Sequence, residues 1–273
     1  MSDLFWKVEG KDIPGNYGWF HIMFIILMLI GTVALCYFGR KFDEKKYNRT
    51  LLIFWIGFVA LEVYKQFTFG LEWEGWKVTG YAWYTFPFQL CATPLYVLPF
   101  AIFFKNKHIK DAATSFMMFY SIFGGLAVYA FPNDVFCSRM DICIQSMIYH
   151  GMMLTIGVFM ALFNKEKLKN PIFYLKGCVT FLIMITLATI LNEIVFAALK
   201  GSETFNMFFI STHYDSTLPV LSMLNGKVHP VLRIFIYYIA FTIIGAILYG
   251  IEFASIVLIP NLVNKNKQNT KEA

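Results

Sequence analysis

Residues 172–199 read IFYLKGCVTFLIMITLATILNEIVFAAL, an apolar run interrupted only by Lys176, Asn192 and Glu193 among its strongly polar residues. A helix rises about 1.5 Å per residue and the hydrocarbon core of a bilayer is about 30 Å thick, so roughly 20 such residues cross it. Barrel strands are short and alternate apolar with polar residues. This run is long and apolar on all sides, which predicts a helix. Six further segments read the same way: 18–38, 50–70, 82–104, 111–131, 142–163 and 231–258. The expected fold is all-α, a polytopic membrane protein of seven transmembrane helices in a single membrane domain over 1–273.

Composition agrees. Of 273 residues, 58% are hydrophobic and 15% charged, with 30 Phe and a mean hydropathy of +0.58; soluble domains carry roughly a quarter charged residues. These figures exclude a disordered chain, a collagen-like chain, a small disulfide scaffold and an ordinary cytosolic enzyme.

The net charge of +6 has a topological meaning. The connections 39–49, 104–110 and 164–170, the starts of the fourth and sixth spans and the tail after 258 together hold 15 Lys and Arg against five acids. The alternate connections (1–17, 71–81, 132–141 and 200–230) are nearly balanced or acidic. Cationic loops stay in the cytoplasm, so the N-terminus is expected outside and the C-terminus inside. The excess charge then contacts anionic lipid headgroups, and no nucleic acid is expected as a partner. The first 17 residues mix Asp3, Lys7, Glu9, Lys11 and Asp12, unlike the short basic start of a secretory signal, so the first span is expected to be a retained helix. Residues 200–230 are too apolar for a free linker and are expected to pack as a cap on the outer face.

Ionisable groups inside a bilayer are costly and are functional candidates. Counted from the outer ends of their spans, Glu62, Cys91, His150 and Asn192 all lie roughly 10–14 Å deep. Ser121, Gly124, Gly125, Tyr237 and Tyr238 fall in the same layer. A thiol and an imidazole at one depth point to nucleophilic catalysis. Cys91 would attack an ester carbonyl, His150 would act as base and then acid, and Glu62 or Asn192 could orient the imidazole. Pro87 and Pro94 flank Cys91. Proline disrupts the helical ladder, and broken helices in membranes line cavities. Gln89 precedes Cys91 by two residues and faces away from it on an intact helix.

Blander readings compete. An apolar-helix thiol commonly packs as a small hydrophobe, a buried His can serve packing alone, and Glu62 and Lys65 stand at pairing distance on a helix. Gly124 and Gly125 fit close helix contact. Arg233 and His229 fit either a lipid phosphate or snorkelling at the start of the last span. Cys137 and Cys143 fit either a disulfide or two free thiols. No Cys-x-x-Cys pair, His-Glu-x-x-His helix, Gly-x-Ser-x-Gly elbow or phosphate-binding loop occurs, and no metal or cofactor is expected. The last span holds no Lys for a retinal Schiff base.

The stretches FPFQLC (86–91), YSIFGGLAVYAFPND (120–134), MIYHG (147–151), ETFNMFF (203–209) and LP (218–219) carry a resemblance over about 18–258. The chain resembles the YwaF-like bacterial integral membrane family. That family is similar in plan to eukaryotic ether-phospholipid acyltransferases and, more distantly, to androgen-induced hydrolases of fatty-acid esters. The resemblance implies seven helices and a Cys91/His150 pair that transfers or hydrolyses an acyl group, with membrane phospholipids or fatty-acyl lipids as partners. It adds Asn206 to the supporting residues Glu62, Gln89, Ser121, Asn192 and Tyr237. The rival expectation is a non-catalytic transporter or ligand-binding protein using the same polar layer. The expected setting is a bacterial plasma membrane.

Overall fold

The computed structural model describes residues 7–262, so Lys265, Lys267 and Lys271 lie outside the described residues. Among those described, six helical segments are long and apolar enough to cross a membrane: Trp19–Gly39, Glu44–Gly70, Lys107–Ala130, Met140–Phe163, Pro171–Leu199 and Pro230–Leu262. They match six of the seven expected spans. We number the helices α1 (Trp19–Gly39), α2 (Glu44–Lys65), α3 (Pro94–Phe103), α4 (Lys107–Phe116), α5 (Ile122–Ala130), α6 (Met140–Phe163), α7 (Pro171–Leu199), α8 (Pro219–Ser222) and α9 (Pro230–Glu252).

Their starts are chemically marked. Asp43 accepts from the Lys46 amide at the head of α2, Asn106 from the His108 and Ile109 amides at α4, and Asn170 from the Ile172 amide at α7. Each supplies an acceptor for amides that have no partner within the helix. Pro171 and Pro230 occupy first-turn positions, where a missing N–H costs nothing. Wider π turns extend α2 through Gln66–Gly70, join α4 to α5 through Met117–Ser121 and continue α9 through Phe253–Leu258.

The expected span 82–104 is not one helix. A 3-10 turn at Trp83–Thr85 leads into non-helical backbone, then a second 3-10 turn at Leu90–Ala92, and only Pro94–Phe103 is α-helical. The prolines supply the reason: Pro87 lacks an N–H and goes with a non-helical Phe86 (ψ 134°), and Pro94 takes the first turn of α3, where a missing N–H costs nothing, so the helix starts there. Residues 71–81, expected as a plain loop, form an antiparallel hairpin of β1 (Leu71–Glu74) and β2 (Lys77–Tyr81), with Gly75 at φ +60° in its turn.

Burial arranges the layers. In the most apolar window of α1 only 11% of residues are buried, against 72% in α6 and in Lys107–Ala130. The α4–α5 rod and α6 therefore form the middle, with the other helices around them. The outer helices present Leu27, Ile30 and Val33 on α1, Ile183, Ile190 and Ile194 on α7, and Ile239, Ile243 and Ile247 on α9. Apolar surface of that extent is stable only against lipid. α6 packs on α1, α2 and α5, and α4 packs on α3 and α7. Phe116, Met117, Phe119, Tyr120, Phe159 and Phe181 fill the centre. Polar pairs cross it: Thr32 to Thr155 at 2.8 Å, and Asp111 to Lys176 at 2.9 Å and Lys167 at 3.0 Å.

Residues 200–230 pack as a cap. Phe205, Met207, Phe208 and Ile210 are fully buried. Phe208 and Phe209 adopt φ +57°, a left-handed conformation that is costly for a bulky residue and persists only where its surroundings hold it.

Candidate functional site

The break before α3 opens a cavity of about 80 Å³, bounded by the irregular stretch 84–92, α2 and α6. Cys91 and His150 both line it, with Glu62, Lys65, Gln89 and Tyr149. Cys91 is half-buried in the 3-10 turn that follows the break, and Thr93 ties that turn through a 2.6 Å bond from its hydroxyl to the Leu90 carbonyl. The charged groups that act on the thiol are those of Lys65 and Glu62.

His150 is fixed by its own helix. Its Nδ1 lies 2.7 Å from the Ser146 carbonyl, one turn earlier. A carbonyl only accepts, so Nδ1 carries the proton and Nε2 presents a lone pair. Nε2 is buried and has no hydrogen-bond partner. The result is a neutral imidazole whose basic nitrogen is unoccupied, in the wall of the cavity that also holds a thiol. Close approach of α5 sets the position of this turn: a Cβ built on Gly125 would lie 2.7 Å from the His150 carbonyl oxygen.

Glu62 does not orient the imidazole. Its carboxylate pairs with Lys65 at 2.9 Å and accepts from Gln66 Nε2 at 2.7 Å. Gln66 Nε2 also donates to the Thr85 carbonyl at 2.8 Å. The pair thus braces the π turn at the end of α2 against the broken segment.

Asn192 does not reach the imidazole either. Its Nδ2 donates to the Met207 carbonyl at 3.1 Å and its Oδ1 accepts from the Met207 amide at 2.7 Å. Asn206 donates to the Asp215 carbonyl at 3.3 Å and accepts from the Ser211 amide at 2.9 Å. Gln89 lies on extended backbone, so the helical expectation that it faces away from Cys91 fails, and it shares the cavity. Its amide, however, is spent on the cap, donating to the Asn206 carbonyl at 3.0 Å and accepting from the Phe208 amide at 2.7 Å. These three amides therefore hold the strained 206–209 turn over the site.

Ser121 and Tyr237 lie outside the cavity lining. Ser121 is buried in the π turn with its hydroxyl unpartnered, and Tyr237 stacks on Phe241 with ring centres 4.0 Å apart. Arg233 corrects the snorkelling expectation. It is 4% exposed and turned inward, donating to the Asn225 side chain at 2.8 Å and to the Ser211 and Tyr214 carbonyls at 2.8 and 2.7 Å. Five acceptor-seeking N–H groups are better satisfied by a cap rich in free carbonyls than by an interface. His229 caps α9 by accepting from the Val231 amide at 3.3 Å.

Tyr149 is the residue that sequence reasoning missed. Its hydroxyl is buried, unpartnered and in the cavity lining. On a helix it points about 100° from His150, so adjacency in sequence gave no reason to group them. Cys137 and Cys143 are thiols, with Cys143 Sγ donating to the Cys137 carbonyl at 3.3 Å. Among the described residues no three His, Cys, Asp or Glu side chains gather closely enough to hold a metal ion.

Residues 16–252 match the TMEM164 family, which covers most of the chain, and the chain belongs to that family. No curated protein and no solved structure matches it.

Proposed function

From membership of the TMEM164 family as premise, we propose that this membrane protein is a lipid acyltransferase or lipid-ester hydrolase with Cys91 as nucleophile and His150 as base. One observation carries the reading: the proton on Nδ1 of His150 is committed to the Ser146 carbonyl, and its unoccupied Nε2 shares a cavity with the Cys91 thiol. The resemblance of FPFQLC and MIYHG to the YwaF-like family, which is similar in plan to ether-phospholipid acyltransferases, supports the same roles.

In the proposed reaction Nε2 takes the thiol proton as Sγ attacks the ester carbonyl. The tetrahedral oxyanion needs a donor, and the Tyr149 hydroxyl is unengaged in the same cavity. Collapse breaks the C–O bond, and the departing alkoxide takes the proton from the imidazolium. The acyl-Cys91 thioester then passes its chain to a lysolipid hydroxyl or to water, whose proton returns through His150 to the thiolate. Membrane phospholipids or fatty-acyl lipids are the proposed substrates.

We further propose that Leu90–Phe103 with the irregular stretch before it makes the seventh crossing, that the N-terminus is outside and the C-terminus cytoplasmic, and that the membrane is a bacterial plasma membrane. The clustering of Lys and Arg on alternate connections supports this arrangement.

The test is acyl transfer by the full-length protein reconstituted in phospholipid vesicles. Cys91→Ala and His150→Ala are expected to abolish it, and a thioester on Cys91 should be trapped by hydroxylamine-sensitive labelling. Full activity in Cys91→Ala refutes the reading and leaves the non-catalytic binding or transport alternative.

A further inference from the structure

A second concavity adjoins the first. An open groove of about 570 Å³ runs along the lipid-facing side of α2, lined by Val59, Val63, Phe67, Leu71, Leu95 and Tyr96. Glu62 and Pro87 belong to the walls of both the groove and the Cys91–His150 cavity. The two spaces are thus neighbours across a partition made of one side chain and one ring. From Val59 to Phe67 the groove follows α2 for about 12 Å.

Its construction is directional. The partition is held from the α3 side, where the Tyr96 hydroxyl donates to the Pro87 carbonyl at 2.7 Å, and Trp55 Nε1 fixes α3 to α2 through the Leu95 carbonyl at 3.0 Å. Hydrogen-bonding groups collect toward the hairpin end, where Gln66 bridges Glu62, Thr85 and the Tyr81 hydroxyl. The far end, at Val59 and Leu95, is apolar. A ligand that fits is therefore amphipathic, with its polar part beside Gln66, Glu62 and Lys65 and a long apolar part running toward the middle of the bundle's height. Val63 and Phe67 are 61% and 50% exposed, so the groove is open along its length to the surrounding lipid.

We infer that this groove seats one acyl chain of a membrane phospholipid, and that the ester carbonyl of that chain reaches Cys91 past the Glu62–Pro87 partition. The inference rests on the reading of Cys91 as nucleophile for its chemistry, but the seating of the chain does not require turnover. Entry is sideways from the bilayer, beneath the cap rather than through it. Val59 and Leu95 then set chain-length preference, since they bound the end of the groove farthest from the hairpin.

The test uses full-length protein in phosphatidylcholine vesicles doped with a phosphatidylcholine that carries a diazirine near the end of one acyl chain. After irradiation, adducts are mapped by mass spectrometry in wild type, Cys91→Ala and Val63→Trp. Adducts are expected on Leu95, Tyr96 and Val59 at ten or more times the yield on Ile183 and Ile190 of α7, which are the more exposed, and this excess should persist in Cys91→Ala. Val63→Trp changes an already exposed side chain and is expected to remove the excess, while Ile183→Trp keeps it. Equal adduct yields on α2–α3 and α7 overturn the inference, whether or not a thioester forms on Cys91. Groove adducts without any Cys91 thioester uphold the seat and overturn the nucleophile.

Discussion

Gly125→Ala isolates the contribution of His150 placement. A helical Gly→Ala change ordinarily stabilises by about 0.5–1 kcal/mol. Here the new methyl would lie 2.7 Å from the His150 carbonyl oxygen, 2.9 Å from Leu154 Cγ and 3.3 Å from the Leu154 amide nitrogen. Ordinary van der Waals contact starts at 3.4 Å, so α5 and α6 must separate by about 0.7 Å at this level (3.4 less 2.7). Two of the three obstacles are backbone, which yields only by moving a helix. Overpacking of this kind costs about 1–3 kcal/mol, enough to cancel the propensity gain and leave a small net loss of stability. The larger effect is on chemistry. A shift approaching 1 Å in a catalytic group costs on the order of 10²-fold in rate. Gly124→Ala is the matched control, because its methyl would meet the flexible end of Met153 at 3.0 Å. The measurement is the rate of thioester formation on Cys91 in reconstituted vesicles, with thermal unfolding recorded alongside. Gly125→Ala is expected to lose about two orders of magnitude while remaining folded, and Gly124→Ala to stay within a few-fold of wild type. Wild-type rates in Gly125→Ala refute the claim that α5 contact positions His150.

Gln89→Ala leaves the Asn206 carbonyl and the Phe208 amide without their partners; at about 1–3 kcal/mol for each stranded buried group, it should loosen the cap, read as faster proteolysis within 203–216 than in wild type. Cys137 lies in the loop between α5 and α6, and the hydrogen bond it receives from Cys143, helped by the nearby Arg139 guanidinium, brings its thiol down to about 6. Its alkylation by a membrane-impermeant maleimide should therefore rise through a midpoint near pH 6 to a plateau about two pH units higher, and Cys143→Ala should move that midpoint up by removing the donor; an unchanged midpoint contradicts the pairing. Both carboxyl oxygens of Glu252 are buried without a partner, so Glu252→Gln, a neutral side chain of the same shape that breaks no ion pair, is expected to match wild type in thermal stability. A marked loss would mean that the carboxylate has a specific partner.

Six spans were legible because hydropathy over some 20 residues is a cumulative signal that single polar residues do not erase. The stretch 82–104 was legible only as an interruption: Pro87 and Pro94 announced a break, but not that the chain would stay non-helical from Phe86 to Gln89. The hairpin at 71–81 was lost between two spans, since its strands are too short for a pattern based on spanning windows. Cys91 and His150 could be grouped by depth because both sit at countable distances from span ends. The roles of Glu62, Asn192 and Asn206 could not: the Glu62 carboxylate is taken by Lys65 and Gln66 at the end of its own helix, and the two asparagines bond backbone groups of the cap. Asn192 meets Met207 and Gln89 meets Phe208, and neither match leaves a trace in spacing or periodicity. Arg233 misled for a similar reason: its position at the head of a span resembles an interfacial anchor until the cap's free carbonyls are seen around it.

The fastening of the cap has a chemical consequence of its own. Gln89, Asn192, Asn206 and Asn225 each grip it with an amide that gives and receives at once, as a neighbouring strand would. Amides are neutral, so neither acidification nor high salt unlocks those joints. Hydrolysis of an amide to a carboxylate does, because it turns a donor facing a carbonyl into a second acceptor. Asn225 precedes Gly226, a pairing that leaves the side chain little steric protection from such ageing. Those four fastenings are then lost through slow covalent damage to side-chain amides rather than through changes of pH or salt.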